Sequence, residues 1–181
     1  MKRFILTFIS IAFSAAIFAG NTYVEYWPDG KKKVEGSYNA PVQINDNDSK
    51  EVKAGKLANA VKVGKWTYWH QNGQLAAEQY YTNGAMTGTW KQWYQNGALE
   101  LEINFTTGDA KIYYQNGQVE STGKMLDGML KDGAWVSYHD NGTKNTEGVY
   151  KKNQKDGVWK YWDRDGKLIG TENWKNGQLV Q

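Results

Sequence analysis

Counted from a recurring glycine, the apolar positions of this chain fall into register six times. The glycines are Gly30, Gly73, Gly97, Gly117, Gly142 and Gly166, separated by 43, 24, 20, 25 and 24 residues, and each follows Asn or Asp. At −4 stands an aromatic in every copy: Tyr26, Trp69, Trp93, Tyr113, Tyr138 and Trp162. At −7 there is Tyr23, Trp66, Trp90, Trp135 or Trp159, with Ala110 in the fourth copy. At +8 there is Tyr38, Tyr81, Phe105, Met125, Tyr150 or Trp174. A second turn signal follows at Gly84, Gly108, Gly128, Asn153 and Gly177, and Gly-x-Trp opens units at Gly64, Gly88, Gly133 and Gly157.

Two turn signals per period, separated by runs of aromatic and β-branched residues, predict a repeating β-hairpin. The fold class is therefore all-β, an elongated antiparallel meander of tandem β-hairpin repeats in which each hairpin pairs with its neighbours. A two-residue Asn-Gly loop would pair −4 with +3. A three-residue loop, with the glycine as a left-handed bulge, pairs −4 with +2. The −4/+2 pairs are Trp69–Leu75, Trp93–Leu99, Trp162–Leu168, Tyr113–Val119, Tyr138–Lys144 and Tyr26–Lys32. Trp goes with Leu each time, as cross-strand neighbours do, which favours the three-residue loop. Strand alternation then assigns −4, +2 and +8 to one core face and the −7 row to the other.

Three irregularities interrupt the pattern. Residues 39–63 lack it, are polar, contain Pro41, and predict a long loop or excursion. Between Gly97 and Gly117 four residues are missing, which predicts a tightened or kinked sheet. Residues 1–19 join a basic start (Lys2, Arg3) to an apolar stretch from Phe4 to Phe18, ending in small residues with a cleavage position after Ala19. That layout predicts a signal peptide over 1–19, a repeat array over 20–181, and an exported protein: periplasmic, on the outer surface or secreted. The apolar stretch is short of the roughly 20 residues that span a bilayer, and no later segment reaches that length.

Charge and composition mostly exclude. The chain has 22 Lys+Arg against 19 Asp+Glu, a balance that speaks against a nucleic-acid partner. Nine Trp, twelve Tyr and twenty Gly suit strands and tight turns, and zero Cys removes disulfides and thiolate chemistry. His70 and His139 both lie at −3, where other copies carry Trp27, Tyr94, Tyr114 and Asp163. That spread predicts a solvent-facing, tolerant position; two histidines without partners do not make a zinc site. Glu35, Glu78, Glu102 and Glu147 recur at +5, one per copy, as on a solvated face rather than as a facing catalytic pair. Asp46-Asn47-Asp48 lacks the glycine and the spacing to Glu51 that a calcium loop needs. No nucleophile elbow or phosphate loop is present. The expectation is a chain without catalytic residues, metal or cofactor.

The stretches Gly64-Lys-Trp-Thr-Tyr-Trp-His-Gln-Asn-Gly-Gln-Leu75 and Gly157-Val-Trp-Lys-Tyr-Trp-Asp-Arg-Asp-Gly-Lys-Leu168 resemble the bacterial MORN-variant repeat, in the form found in YwqK-family antitoxins. The resemblance runs from Tyr23 to the end, the insertion apart. It implies an elongated hairpin array that binds a partner without catalysis, and the antitoxin label implies a toxin as that partner. It carries over no active-site residues. The remaining candidates are aromatic. On the face opposite the −4 row, Trp66, Trp90, Trp135 and Trp159 stand with Tyr68, Tyr94, Tyr114 and Tyr161. Packing is the first reading for these tryptophans; an exposed stripe for a protein partner (a toxin or an envelope protein), or for a glycan or lipid, is the second.

Overall fold

The computed structural model describes residues 14–19, 21–45, 47–126 and 129–180. Fourteen strands form one antiparallel sheet in strict sequence order. They are β1 (Ser14–Ala19), β2 (Thr22–Tyr26), β3 (Lys32–Tyr38), β4 (Lys62–Trp69), β5 (Leu75–Thr82), β6 (Ala85–Trp93) and β7 (Leu99–Asn104). Then come β8 (Asp109–Tyr113), β9 (Val119–Leu126), β10 (Leu130–Tyr138), β11 (Lys144–Lys151), β12 (Gln154–Trp162), β13 (Leu168–Lys175) and β14 (Gln178–Val180). β1 coincides with the end of the predicted leader and pairs with β2 from Ala19↔Thr22 to Ser14↔Tyr26. Residues 1–13 of that leader, Asp46 and the second-turn residue Gly128 lie outside the described residues.

All six −4/+2 pairs form as the turn chemistry predicts. In the second copy the Gly73 amide donates to the His70 carbonyl at 2.9 Å and the His70 amide to the Gln74 carbonyl at 2.8 Å. These bonds close a three-residue loop with Gly73 at φ +90°, where a side chain would be strained. The preceding Asn72 accepts from the Gln74 amide at 3.0 Å, which explains the Asn or Asp before every turn glycine.

The predicted distribution over the two faces needs correction. After each −4/+2 pair the register shifts by one residue, so that −5 faces +4, as in Tyr68↔Ala77 and Ile112↔Ser121. The extra residue at +3 flips the rest of the second strand. Hence +4, +6 and +8 share a face with −5 and −7, and −4 and +2 are left on the other. The buried residues follow this division: Tyr23, Trp66, Trp90, Ala110, Trp135 and Trp159 at −7, Val34 and Leu101 at +4, and Tyr38 and Tyr81 at +8. We call this the inner face.

A second irregularity holds the inner face together. At four junctions the trio Gly-x-Trp stands opposite a single residue at +6: Gly64–Trp66 against Gly36, Gly88–Trp90 against Gln79, Gly133–Trp135 against Gly123, and Gly157–Trp159 against Gly148. The opening glycines have φ between +64° and +72°. Each bulge folds its indole back over the neighbouring strand. A Cβ on Gly36, Gly123 or Gly148 would lie 2.1, 2.3 or 2.3 Å from the ring of Trp66, Trp135 or Trp159. The same rings donate Nε1–H to the backbone carbonyls of Ser37, Lys124 and Val149 at 3.1, 3.0 and 3.1 Å. Gln79 occupies the glycine position at the second junction, and there the Trp90 Nε1 is buried without a partner. At the third to fourth copy, where Ala110 replaces Trp, the register runs without a bulge and Ile103, 1 % exposed, supplies the missing bulk.

The insertion is also more ordered than its polarity suggests. It contains a helix, α1 (Lys50–Ala58), started by Ser49, whose hydroxyl accepts from the Val52 amide at 3.3 Å. Lys56 pairs with Asp48 at 2.7 Å. No residue of α1 is itself buried, so no periodic apolar stripe marks it in the sequence. Val42, Ile44, Leu57 and Ala60 pack against the cluster of Tyr23, Val34, Tyr38, Trp66 and Tyr81. The excursion therefore covers the inner face of the first two hairpins.

Gly148→Ala should lower the unfolding free energy by roughly 1–3 kcal/mol, because the new methyl has only the Trp159 ring to displace. Gly55→Ala, in α1 with open space around it, should instead raise stability by roughly 0.5–1 kcal/mol. Urea denaturation of the two variants against the parent chain checks both signs.

Candidate functional site

The eight aromatic candidates do not form an exposed stripe. Trp66, Trp90, Trp135 and Trp159 are 2, 5, 3 and 2 % exposed. Tyr68 and Tyr161 lie beside them and take part in a feature that spacing alone did not reveal. Lys62 sits over the rings of Trp66 and Tyr81 at 4.2 and 5.0 Å and donates to the Tyr68 hydroxyl at 2.8 Å. Lys131 sits over Trp135 and Tyr150 at 4.1 and 5.4 Å. Lys155 lies over Trp159 and Trp174 at 4.6 and 4.5 Å and donates to the Tyr161 hydroxyl at 2.7 Å. All three lysines are at −11, so each copy that carries one closes its own aromatic cage with an ammonium. Burial pulls the Lys62 ammonium down to about 8 and lowers those of Lys131 and Lys155.

Tyr94 and Tyr114 belong to a different row, and with them the histidine position must be corrected. The −3 side chain of each copy donates to the −4 carbonyl of the next. Trp27 Nε1 reaches the Trp69 carbonyl at 3.1 Å, and the Tyr94 and Tyr114 hydroxyls reach those of Tyr113 and Tyr138, each at 2.7 Å. His70 and His139 Nε2 make the same bond to Trp93 and Trp162 at 2.8 and 2.9 Å. A carbonyl only accepts, so Nε2 carries the proton. Trp, His and Tyr are interchangeable here because each is a long ring with one N–H or O–H donor. Chemical diversity at −3 reads as tolerance; the ring-borne donor that Trp, His and Tyr share is the signal of a conserved bond geometry along the array. Beside this row Asn72, Asn116 and Asn141 donate Nδ2 to the carbonyls of Gln95, Asp140 and Arg164 in the following turns.

The last copy carries neither docking group. Its −3 residue is Asp163, which accepts from the amides of Asp165 and Lys167 in its own turn. Its +6 residue is Glu172 in place of Gly, bonded by Tyr161 Oη and by Trp174 Nε1 at 2.9 Å. Two carboxylates thus stand at the positions that carry a ring-borne donor and, in three other copies, a glycine.

What remains on the outer face is the −4/+2 row. Tyr26, Trp69, Trp93, Tyr113, Tyr138 and Trp162 are all half-buried, and Leu75, Leu99 and Val119 stand between them. Two strands per copy space these rings about 9.5 Å apart. Lys32 and Lys144 lie over Trp69 and Trp162 at 5.3 and 4.9 Å. The +5 glutamates flank the row in ion pairs, Lys32–Glu35 at 2.8 Å, Lys144–Glu147 at 2.6 Å, Lys91–Glu102 at 3.4 Å, and Lys65–Glu78. Among the described residues no group of three His, Asp or Glu could hold a metal ion, and no helix is long and apolar enough to cross a membrane.

The family model described as the MORN repeat variant matches residues 20–40, 62–83, 86–107, 106–126, 131–152 and 155–176. The chain belongs to the MORN-repeat variant family. Its six matches coincide with the six hairpin copies, and the gap between the first two is the insertion with α1. The MORN repeat family is non-enzymatic. No curated protein matches the chain significantly. Among solved structures, the GtfA/B complex bound to UDP and GlcNAc is similar at 11 % identity and a TM-score of 0.29. The match covers 77 % of this chain and 24 % of that one.

His139→Phe should cost about 0.5–1.5 kcal/mol, since the ring keeps its bulk but the Trp162 carbonyl loses its donor. His139→Tyr, which restores the donor used by Tyr94 and Tyr114, should recover most of that loss; equilibrium denaturation reads both. Burial also lifts tyrosine hydroxyls, to about 12 for Tyr38 and Tyr161 and upward for Tyr81 and Tyr150. Above pH 10 the unfolded chain releases these protons and the folded chain keeps them, so their stability contribution is complete below 10 and lost through about 12. The lowered lysines act oppositely: Lys62 adds stability as pH rises from about 8 to 10.5, and Lys131 and Lys155 act in the same direction. Above 10 the raised tyrosines outnumber them, so pH titration of the melting temperature should show a decline there.

Proposed function

We propose that this MORN-variant chain is an exported, non-catalytic scaffold that binds a protein partner across its outer face. MORN repeats are protein- or membrane-binding modules. The observation that carries the proposal is the continuous −4/+2 row. In a sheet that buries its tryptophans on one side, the other side still presents six half-exposed aromatic rings in line. Aromatics that offer an apolar face and a polar edge are the preferred anchors of protein interfaces. Export is supported by Lys2, Arg3 and the apolar stretch to Ala19. An immunity- or antitoxin-type role is the narrower form of the same proposal and is supported by the repeat resemblance alone. With the −7 tryptophans buried, the glycan- or lipid-binding alternative also rests on the outer row.

The test is affinity purification from an envelope extract with the parent chain and with the triple variant Trp69→Ser, Trp93→Ser, Trp162→Ser. The parent should recover a stoichiometric protein and the variant should lose it, with the variant's circular dichroism spectrum unchanged. No stoichiometric protein, or one retained by the variant, defeats the proposal. Tryptophan fluorescence against cell-wall glycan and anionic liposomes should stay flat; saturable quenching there would favour the alternative. Trp90→Ala serves as the contrast, because truncating a buried indole should cost about 3–5 kcal/mol wherever the partner binds.

A further inference from the structure

Among the described residues the inner-face core breaks at one junction, between the second and third copies. A first cluster joins Tyr23, Val34 and Tyr38 of the first copy to Trp66 and Tyr81 of the second, and the insertion packs against it. A second cluster joins Trp90, Leu101 and Ile103 of the third copy to Ala110 and Ile112 of the fourth and Trp135 of the fifth. Tyr150 carries this cluster on to the sixth copy, meeting Trp135 at 6.3 Å and Trp159 at 4.8 Å. The two clusters share no residue, and they part between β5 and β6.

Two residues account for the break. Gln79 stands where Gly36, Gly123 and Gly148 let an indole lie over the neighbouring strand. Its side chain is held inside the second copy, where Tyr81 Oη donates to its Oε1 at 2.8 Å. The Trp90 ring stacks instead on Phe105 of its own copy, at 6.2 Å and 23°, and its Nε1 has no acceptor. The second residue is Met86, exposed at the −11 position that holds a lysine over the ring in the second, fifth and sixth copies. What ties the second copy to the third is the strand ladder and the turn edge, where His70 Nε2 and Asn72 Nδ2 reach the carbonyls of Trp93 and Gln95, each at 2.8 Å. An array whose copies contact only their neighbours loses cooperativity at its weakest interface. We propose that the chain consists of two blocks, copies one and two with the insertion and copies three to six, joined by a flex point at β5–β6. Trp69 and Trp93 of the outer row lie on opposite sides of this point, so bending there sets the angle between the two parts of that row. The device does not depend on what the outer face binds.

Amide hydrogen exchange of the full-length protein reads the boundary. Amides bonded between β5 and β6 should exchange about tenfold faster than those bonded between β3 and β4 or between β9 and β10, the like junctions with a glycine beneath the indole. Equal rates at the three junctions overturn the proposal. Gln79→Gly should slow the β5–β6 amides about fivefold relative to the β9–β10 amides, and move the Trp90 indole N–H resonance downfield as it gains an acceptor. Gln79→Ala keeps a Cβ in the path of the ring and should do neither. A glycine variant in which either readout stays unchanged, or an alanine variant with the same gain, overturns the proposal as well.

Discussion

The sheet depends on an indole lying flat over a glycine. A single antiparallel layer has no second layer to close its core, so apolar surface must be buried within the face itself. The Gly-x-Trp bulge does this by setting three residues against one, which turns the Trp ring back across the neighbouring strand. The ring needs a neighbour without a Cβ, which Gly36, Gly123 and Gly148 supply. It then satisfies its own N–H on a carbonyl of that strand, so one side chain contributes both packing and a directional bond. The lysine at −11 roofs the ring and tyrosines or tryptophans at +8 wall it.

The junctions that depart from this arrangement show what it requires. At Gln79 a side chain occupies the glycine position, and Trp90 loses its hydrogen bond. At Ala110 the indole, the bulge and the lysine are absent together, and the strand pairing becomes regular while Ile103 grows into the space. The bulge and the indole are thus a unit. Without the ring there is no reason to interrupt the ladder, and loss of the three-against-one bulge accounts for part of the contraction between Gly97 and Gly117.

A second system runs along the turn edge and is independent of the indoles. The −3 donors and the turn asparagines tie each hairpin to the next through backbone carbonyls. Each bond is worth only about 0.5–1.5 kcal/mol, but the bonds recur at every junction and fix the stacking of the turns. In the sixth copy Asp163 stands at the −3 position and Glu172 at the +6 position that is glycine in three other copies. The outer row takes no part in the indole packing of the inner face and stays half-exposed.

The repeat, its six copies, the turn type and the −4/+2 register were legible in the sequence, because each is set by local chemistry. Left-handed glycines, Asx acceptors and covarying cross-strand pairs all act within a few residues. The fate of the two aromatic rows was not. A one-residue bulge at +3 leaves no compositional mark, yet it moves +8 from the side of −4 to the side of −7. It buries Trp66, Trp135 and Trp159 and turns Trp69, Trp93 and Trp162 outward. The helix in the insertion stayed hidden because α1 buries none of its own residues, and the −3 histidines looked tolerant because their acceptors lie 23 residues away. Local backbone preference determined the hairpins; only tertiary packing, where a ring must find a strand without a side chain beneath it, decided which face is core and which is surface.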